Sequence, residues 1–255
     1  MPKISLQPTL ISQALHAPLC VVVPVYNEVA TIGGVVEEWS EALSSLGIDY
    51  QILLLNDGST DKTWNFLCEM EEKDTAHLVI VDKPNSGHGR TCRLGYSAAV
   101  LAPSVEWVLQ IDSDGQCDPA YFKQFWEKRE AADCVFGDRE KREDGSLRWL
   151  ASKMCRIGAS VLGGCDLGDA NVPYRLMRRE ILTRALERIP ASFDIHNVAV
   201  TYVLKHTQGI RWEYVPIVFR DRQGGSNSIN IFNIARMGIG MLIDLRKLGS
   251  KRNHR

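Results

Sequence analysis

Two carboxylates spaced two residues apart, Asp112 and Asp114, close an apolar run over residues 105–111 and are followed by Gly115 and Gln116. A strand sends residues i and i+2 to one face, so both carboxylates project together from a strand end. Hard oxygen donors placed this way suit a divalent cation that keeps several waters and also takes the oxygens of a substrate phosphate, the usual mode of Mg²⁺ or Mn²⁺. The same residues also fit a polar turn in which Asp118 caps a helix that begins at Pro119. Comparable clusters recur upstream: Tyr26, Asn27 and Glu28 after one apolar run, residues 56–61 around Asp57 after a second, and Gly87, His88, Gly89 and Arg90 after a third. Glycines beside basic groups let a backbone approach a phosphate closely at a helix N-terminus. Downstream, Arg139, Lys141, Arg142, Arg148 and Lys153 form a basic stretch, either a solvated turn or guanidinium forks for phosphate oxygens. Asp169 stands in a polar turn as a candidate base near an acceptor, and Arg220, Arg222 and Ser226 share a glycine-bearing loop suited to anions.

The elements that must position these residues follow from apolar periodicity. Residues 19–25 and 51–55 are short apolar runs of the kind buried on both faces of a sheet, and further strands are expected over 77–81 and 105–111. Helical patterns follow each of them: one capped by Thr31 and ended by Gly47, then 64–72, 91–100 and 119–132. Four strand–helix units in series imply a largely parallel sheet with right-handed crossovers, in which ligands bind beyond the carboxyl ends of the strands. Glu28, Asp57, His88, Asp112 and Asp114 should therefore converge. Beyond residue 132 the alternation weakens. A short strand over 135–138, a helix over 149–162, an edge-like strand over 172–177 because of Pro173, helices over 180–188 and 195–206, and a strand over 210–219 complete the reading. His196 and His206 have no ligand spacing around them and read as packing or surface residues. Residues 229–255 are amphipathic and too charged to span a bilayer, so they either lie on a membrane surface or pack on protein.

With 255 residues, 45% of them hydrophobic and 24% charged, and a formal net charge of −1, the chain can bury a sizeable core but has no global basic field for nucleic acid. Anion binding has to be local. The seven cysteines form no C-x-x-C pair and several sit in apolar runs, as in a reduced, intracellular protein. The N-terminal segment lacks the basic head and apolar block of a signal peptide, and no window reaches the roughly 18 charge-free apolar residues of a membrane span. The expected location is the cytoplasm, with possible peripheral attachment to the cytoplasmic face of a membrane.

Val23-Pro24-Val25-Tyr26-Asn27-Glu28, Asn56-Asp57-Gly58-Ser59-Thr60-Asp61, Gly87-His88-Gly89 and Asp112-x-Asp114-Gly115-Gln116, in that order, resemble the family 2 glycosyltransferases. The resemblance implies their GT-A fold, an α/β, Rossmann-like, mostly parallel sheet flanked by helices, over residues 1–228, with 229–255 as a C-terminal amphipathic helical segment. The basic stretch 139–153 and the loop 220–228 make the chain look most like the polyprenyl-phosphate sugar transferases of the dolichyl-phosphate mannosyltransferase type. The resemblance further implies that Pro24, Tyr26, Glu28 and Asp57 hold a nucleoside, with Gly87 and His88 beside the substrate. Asp112, Asp114 and Gln116 would hold Mg²⁺ or Mn²⁺, and Arg139, Arg220 and Ser226 would meet phosphates. Asp114 and Asp169 are the expected catalytic residues. Two departures concern the acceptor: Ser226-Asn227-Ser228 replaces the usual Ser-Ser or Ser-Lys end of the last loop, and two transmembrane helices common in bacterial relatives have no counterpart.

The implied activity is inverting, metal-dependent transfer of a sugar from a nucleoside diphosphate sugar to a polyprenyl phosphate, with a membrane surface and a membrane protein as possible partners. A lipid phosphate is anionic near neutral pH and needs no base. A saccharide hydroxyl, as in polysaccharide or lipopolysaccharide synthesis, needs one, and Asp169 is then the first candidate. A sugar nucleotidyltransferase would require a basic glycine-rich loop after the first strand, which is missing. A non-catalytic nucleotide-sugar-binding subunit is disfavoured by the intact Asp112 and Asp114.

Overall fold

The computed structural model of the chain describes residues 7–139, 167–190, 193 and 196–221. After a short helix α1 (Pro8–Ser12), strands β1 (Leu19–Val25) and β2 (Tyr50–Asp57) are buried at every position, which is why they read as continuous apolar runs. They pair in parallel, with β3 (Leu78–Lys83) beyond β2 and β4 (Trp107–Gln110) beyond β1. Helices α2 (Ile32–Ser45), α3 (Thr63–Lys73) and α4 (His88–Leu101) connect them. A 3₁₀ turn (Pro119–Tyr121) leads into α5 (Phe122–Lys128). Then β5 (Cys134–Arg139), β6 (Arg175–Arg178), α6 (Arg179–Arg188), α7 (His196–Lys205) and β7 (Trp212–Ile217) complete a seven-stranded sheet of order β3-β2-β1-β4-β6-β5-β7. Helices α1, α6 and α7 all pack on α4.

The sheet is parallel except at β6, which runs antiparallel to both β4 and β5. The strand expected over 172–177 thus lies inside the sheet. Pro173 precedes it, so no ladder donor is lost and the proline does not mark an edge. Because β6 reverses twice, β5 points the same way as β4, and the carboxyl end of β5, at Arg139, shares a rim with those of β1 to β4. Other differences are local. The helix expected over 119–132 is a 3₁₀ turn and a short helix, although Asp118 does cap it by accepting from the Ala120 amide. Helix α4 starts at His88, earlier than its apolar pattern, because Gly87 turns the chain at φ +92°. Thr31 precedes α2, but its hydroxyl donates to Glu28 Oε2 at 2.7 Å and caps no amide.

Gly95 on α4 lies against β1 and β2. A Cβ there would come within 2.9 Å of Leu55 Cδ1 and closer still to Val22, so the helix sits tight on the sheet and its first turn is held at the strand ends. The expected helix 149–162, the segment 229–255, and Arg142, Arg148, Lys153, Arg222 and Ser226 fall outside the described residues. Among the described residues, no helix is long and apolar enough to cross a membrane.

Candidate active site

The loops that leave β1 and β2 are laced together. Asn27, at φ +55°, donates its amide to Ser59 Oγ at 2.9 Å and accepts from the Thr60 amide at 2.8 Å. The Glu28 amide donates to Thr63 Oγ1 at 3.0 Å, and the Thr31 hydroxyl that holds the Glu28 carboxylate also lies 3.5 Å from the Ser113 carbonyl. The β1 loop thereby touches the β4 loop. Pro24 is buried opposite Leu55, whereas Tyr26, 47% exposed, stands open at the rim.

Asp57 and Lys83 face each other in register at the ends of β2 and β3. The Lys83 ammonium donates to Asp57 Oδ1, to Ser86 Oγ at 2.7 Å and to the Pro84 carbonyl at 2.9 Å. Asp57 also accepts the Ser86 amide on Oδ1 at 2.8 Å and the Gly87 amide on Oδ2 at 2.9 Å. Both side chains are buried, at 3% and 8% exposure, so the carboxylate shapes the loop before α4. Any nucleoside contact must share a carboxylate that three donors already hold. The same loop crosses Gly58, where a Cβ would stand 2.6 Å from the Asn85 amide.

At the β4 end, Asp112 Oδ1 accepts from Gln110 Nε2 at 3.0 Å and lies 3.7 Å from His88 Nε2. His88 also meets Cys92 Sγ at 3.5 Å. Its contact with Cys92, with the nearby Asp112 and Asp57, outweighs desolvation and pushes the imidazole up to about 10. Asp114 is buried and accepts from the Gln116 amide at 3.2 Å. Gln116 donates Nε2 to the Arg220 carbonyl and accepts the Arg220 amide, both at 3.2 Å. The Arg220 guanidinium itself goes to Glu38 at 2.6 Å and Asp118 at 2.7 Å. Arg139 makes a two-pronged pair with Asp169, one contact of which measures 2.6 Å. Burial opposes its charge, yet Asp169 and then Asp112 hold the guanidinium above its ordinary value.

Of the residues singled out in the sequence, Pro24, Tyr26, Glu28, Asp57, Gly87, His88, Asp112, Asp114, Gln116, Arg139 and Asp169 lie along this one rim. Arg220 joins through its backbone while its side chain turns to α2. Lys83, Gln110 and Glu38 were not singled out, since their roles depend on register and on contacts distant in sequence. The donor set expected from the sequence is two carboxylates and one amide oxygen, and no group of three or more His, Cys, Asp or Glu that could hold a metal occurs among the described residues. Such a hard, incomplete set fits Mg²⁺ or Mn²⁺, which draw the remaining ligands from water and diphosphate. It does not fit a thiophilic ion, since burial pushes the neighbouring Cys117 thiol well up.

A family model described as glycosyl transferase family 2 matches residues 20–186. The undecaprenyl-phosphate 4-deoxy-4-formamido-L-arabinose transferase of Klebsiella pneumoniae (strain 342) is 27% identical over 227 residues, which cover 88% of this chain and 65% of that protein. The chain thus spans a little under two thirds of the length of this relative. Among solved structures, glucosyl-3-phosphoglycerate synthase from Mycobacterium tuberculosis, in complex with Mn²⁺, UDP and phosphoglyceric acid, matches with TM-score 0.65 at 18% identity, over 97% of this chain and 84% of that one. Mannosyl-3-phosphoglycerate synthase from Rubrobacter xylanophilus matches with TM-score 0.61 at 15% identity, over 96% and 79%. At these identities the likeness to the two synthases is one of fold, the GT-A fold.

Proposed function

Because the chain belongs to glycosyl transferase family 2, we propose that it moves a sugar, with inversion, from a nucleoside diphosphate sugar to a polyprenyl phosphate. Two comparisons support the substrate classes: a relative named for undecaprenyl phosphate and a structural neighbour solved with UDP and Mn²⁺. The observation that carries the reading is the charge pattern of the rim. Asp112 and Asp114 leave β4 beside the N-terminus of α4, and Arg139 leaves the parallel strand β5 close enough to sense Asp112.

Tyr26 offers an open ring on which a base can stack, and Glu28 and Asp57 shape the loops that enclose the ribose. Asp112, Asp114 and Gln116 would hold Mg²⁺ or Mn²⁺, which when bound offsets the charge that builds on the leaving diphosphate. His88 and the N-terminus of α4 place an imidazole and the positive end of a helix dipole on the same side. The phosphate of the acceptor is its own nucleophile. It reaches Arg139 by exchanging with Asp169, one oxyanion for another at the same guanidinium fork. Ser226 completes the phosphate contacts in this reading. Residues 1–228 are the catalytic domain and 229–255 attach it to the cytoplasmic face of a membrane.

A saccharide hydroxyl as acceptor is the second reading, favoured by the presence of Asp169 at the rim. Both oxygens of Asp169 are held by Arg139, so it can act as a base only after that pair opens. A screen of nucleotide sugars for Mn²⁺-dependent thermal stabilisation, followed by turnover with polyprenyl phosphate, tests the main reading. Asp114→Asn should abolish metal-dependent nucleotide binding while the fold persists, and full turnover by that variant would sink the assignment. Efficient transfer to a soluble saccharide hydroxyl, lost in Asp169→Asn, would favour the second reading.

A further inference from the structure

We propose that Gln110, Asn197 and Tyr96 form a positioning relay that fixes the Asp112 carboxylate for a divalent cation; this rests on the reading of Asp112 given above. Gln110 is the last residue of β4 and wholly buried, and because it precedes Asp112 by two its side chain can point the same way. Its Nε2 donates to Asp112 Oδ1 at 3.0 Å, while its Oε1 accepts from Asn197 Nδ2 at 3.0 Å. The Tyr96 hydroxyl lies 3.2 Å from the same Oε1 and 3.0 Å from Asn197 Oδ1, closing a ring of three buried side chains contributed by β4, α4 and α7. The backbone of Asn197 is held in turn, since the fully buried Arg175 donates to its carbonyl at 3.1 Å.

The Asp112 carboxylate only accepts, so Gln110 turns its NH₂ toward it and its oxygen back toward the Asn197 NH₂. The Tyr96 hydroxyl, with one proton, donates to one of the two amide oxygens at a time. Glutamate at position 110 would set a second carboxylate against Asp112, and an apolar residue would remove the amide that donates to Oδ1. Three polar side chains in a helix–sheet core cost desolvation that an apolar trio would avoid. Among the described residues, they lead to a carboxylate at the rim. Outer partners of this kind orient metal-binding carboxylates, and losing one commonly lowers metal affinity about 10- to 100-fold.

The test measures UDP binding by calorimetry as Mn²⁺ is titrated, together with binding of Mn²⁺ alone by electron paramagnetic resonance. Gln110→Met, close in shape, and Asn197→Ala should each raise the Mn²⁺ needed for half-saturation by about tenfold or more. The double variant should need no more Mn²⁺ than Gln110→Met alone, because Asn197 acts only through Gln110. Thr207→Val, which removes a hydroxyl bond to the Val203 carbonyl at the far end of α7 and touches no member of the ring, should lower the unfolding midpoint and leave the Mn²⁺ requirement unchanged. If Gln110→Met does not fold, Tyr96→Phe deletes a single hydroxyl and should raise the requirement several-fold. A wild-type Mn²⁺ requirement in the folded variants, or losses that add in the double, overturns the relay alone. UDP binding by the native protein that ignores Mn²⁺ overturns the reading of Asp112 and the relay with it.

Discussion

Asp57 illustrates how a residue that reads as a ligand contact can have structural work to do first. Its carboxylate is buried against Lys83 and against two amides of the loop before α4. Asp57→Ala strands a buried ammonium, so a loss of about 3–5 kcal/mol in urea unfolding is expected, more than a lost ribose contact alone would cause. Adding Lys83→Met should recover part of that loss, and stability unchanged in the single variant would show that the pair is not needed. Arg220 poses the opposite question, because its guanidinium is already shared by Glu38 and Asp118. If its task is to clasp the loop that carries Asp114 and Gln116, Glu38→Ala should reduce turnover several-fold in parallel with Arg220→Ala. A silent Glu38→Ala beside a damaging Arg220→Ala would instead give Arg220 a direct phosphate contact. Asp112 and Asp114 were legible in the sequence because their relation is local, two residues apart where the chain leaves β4, although the strand itself stops at Gln110 and the pair stands in the turn beyond it. Lys83 and Gln110 were not, because the first depends on the β2–β3 register and the second on a helix that arrives almost ninety residues later.

At the scale of elements, the four leading strand–helix units could be read from periodicity because each strand carries an unbroken apolar run and polar residues gather at its end. The reversed strand β6 could not, since strand direction depends on pairing partners and the residues themselves carry no mark of it. Its flanks hold an ion-pair cluster. Asp133, just before β5, accepts from Arg211 just before β7 at 2.9 Å and lies 3.5 Å from Arg178 at the end of β6. The side-chain bond from Arg211, outweighing burial, holds the Asp133 carboxyl below its ordinary value. A depressed carboxyl contributes stability above its unfolded-state range and loses it as pH falls through the folded-state value. Asp133→Asn should therefore flatten the acid side of a midpoint-against-pH curve, and an unchanged acid slope would count against the cluster. Helix α4 offers a second test. Gly95→Leu would drive a side chain into Val22 and Leu55, with an expected cost of about 1–3 kcal/mol and weaker nucleotide binding as the first turn is lifted from the rim.

For the whole molecule, the expected division at residue 228 becomes a proposal about location. Deleting 229–255 should reduce turnover with vesicle-embedded polyprenyl phosphate far more than it reduces nucleotide binding, and high salt should release the intact protein from vesicles only in part. Equal loss of both activities would make the segment part of the fold. The order of the sheet also bears on how the molecule is made. Strands β3, β2, β1 and β4 are contiguous in both sequence and space, so this half of the sheet can assemble while the rest of the chain is still being synthesised. The outer side of β4 pairs with β6, and Gln110 waits for Arg175. At about 5–20 residues per second, that partner follows only after several seconds. During this interval the nascent chain shows a bare apolar edge, Trp107–Gln110, and this is where chaperone capture or misassociation of the newborn protein should concentrate.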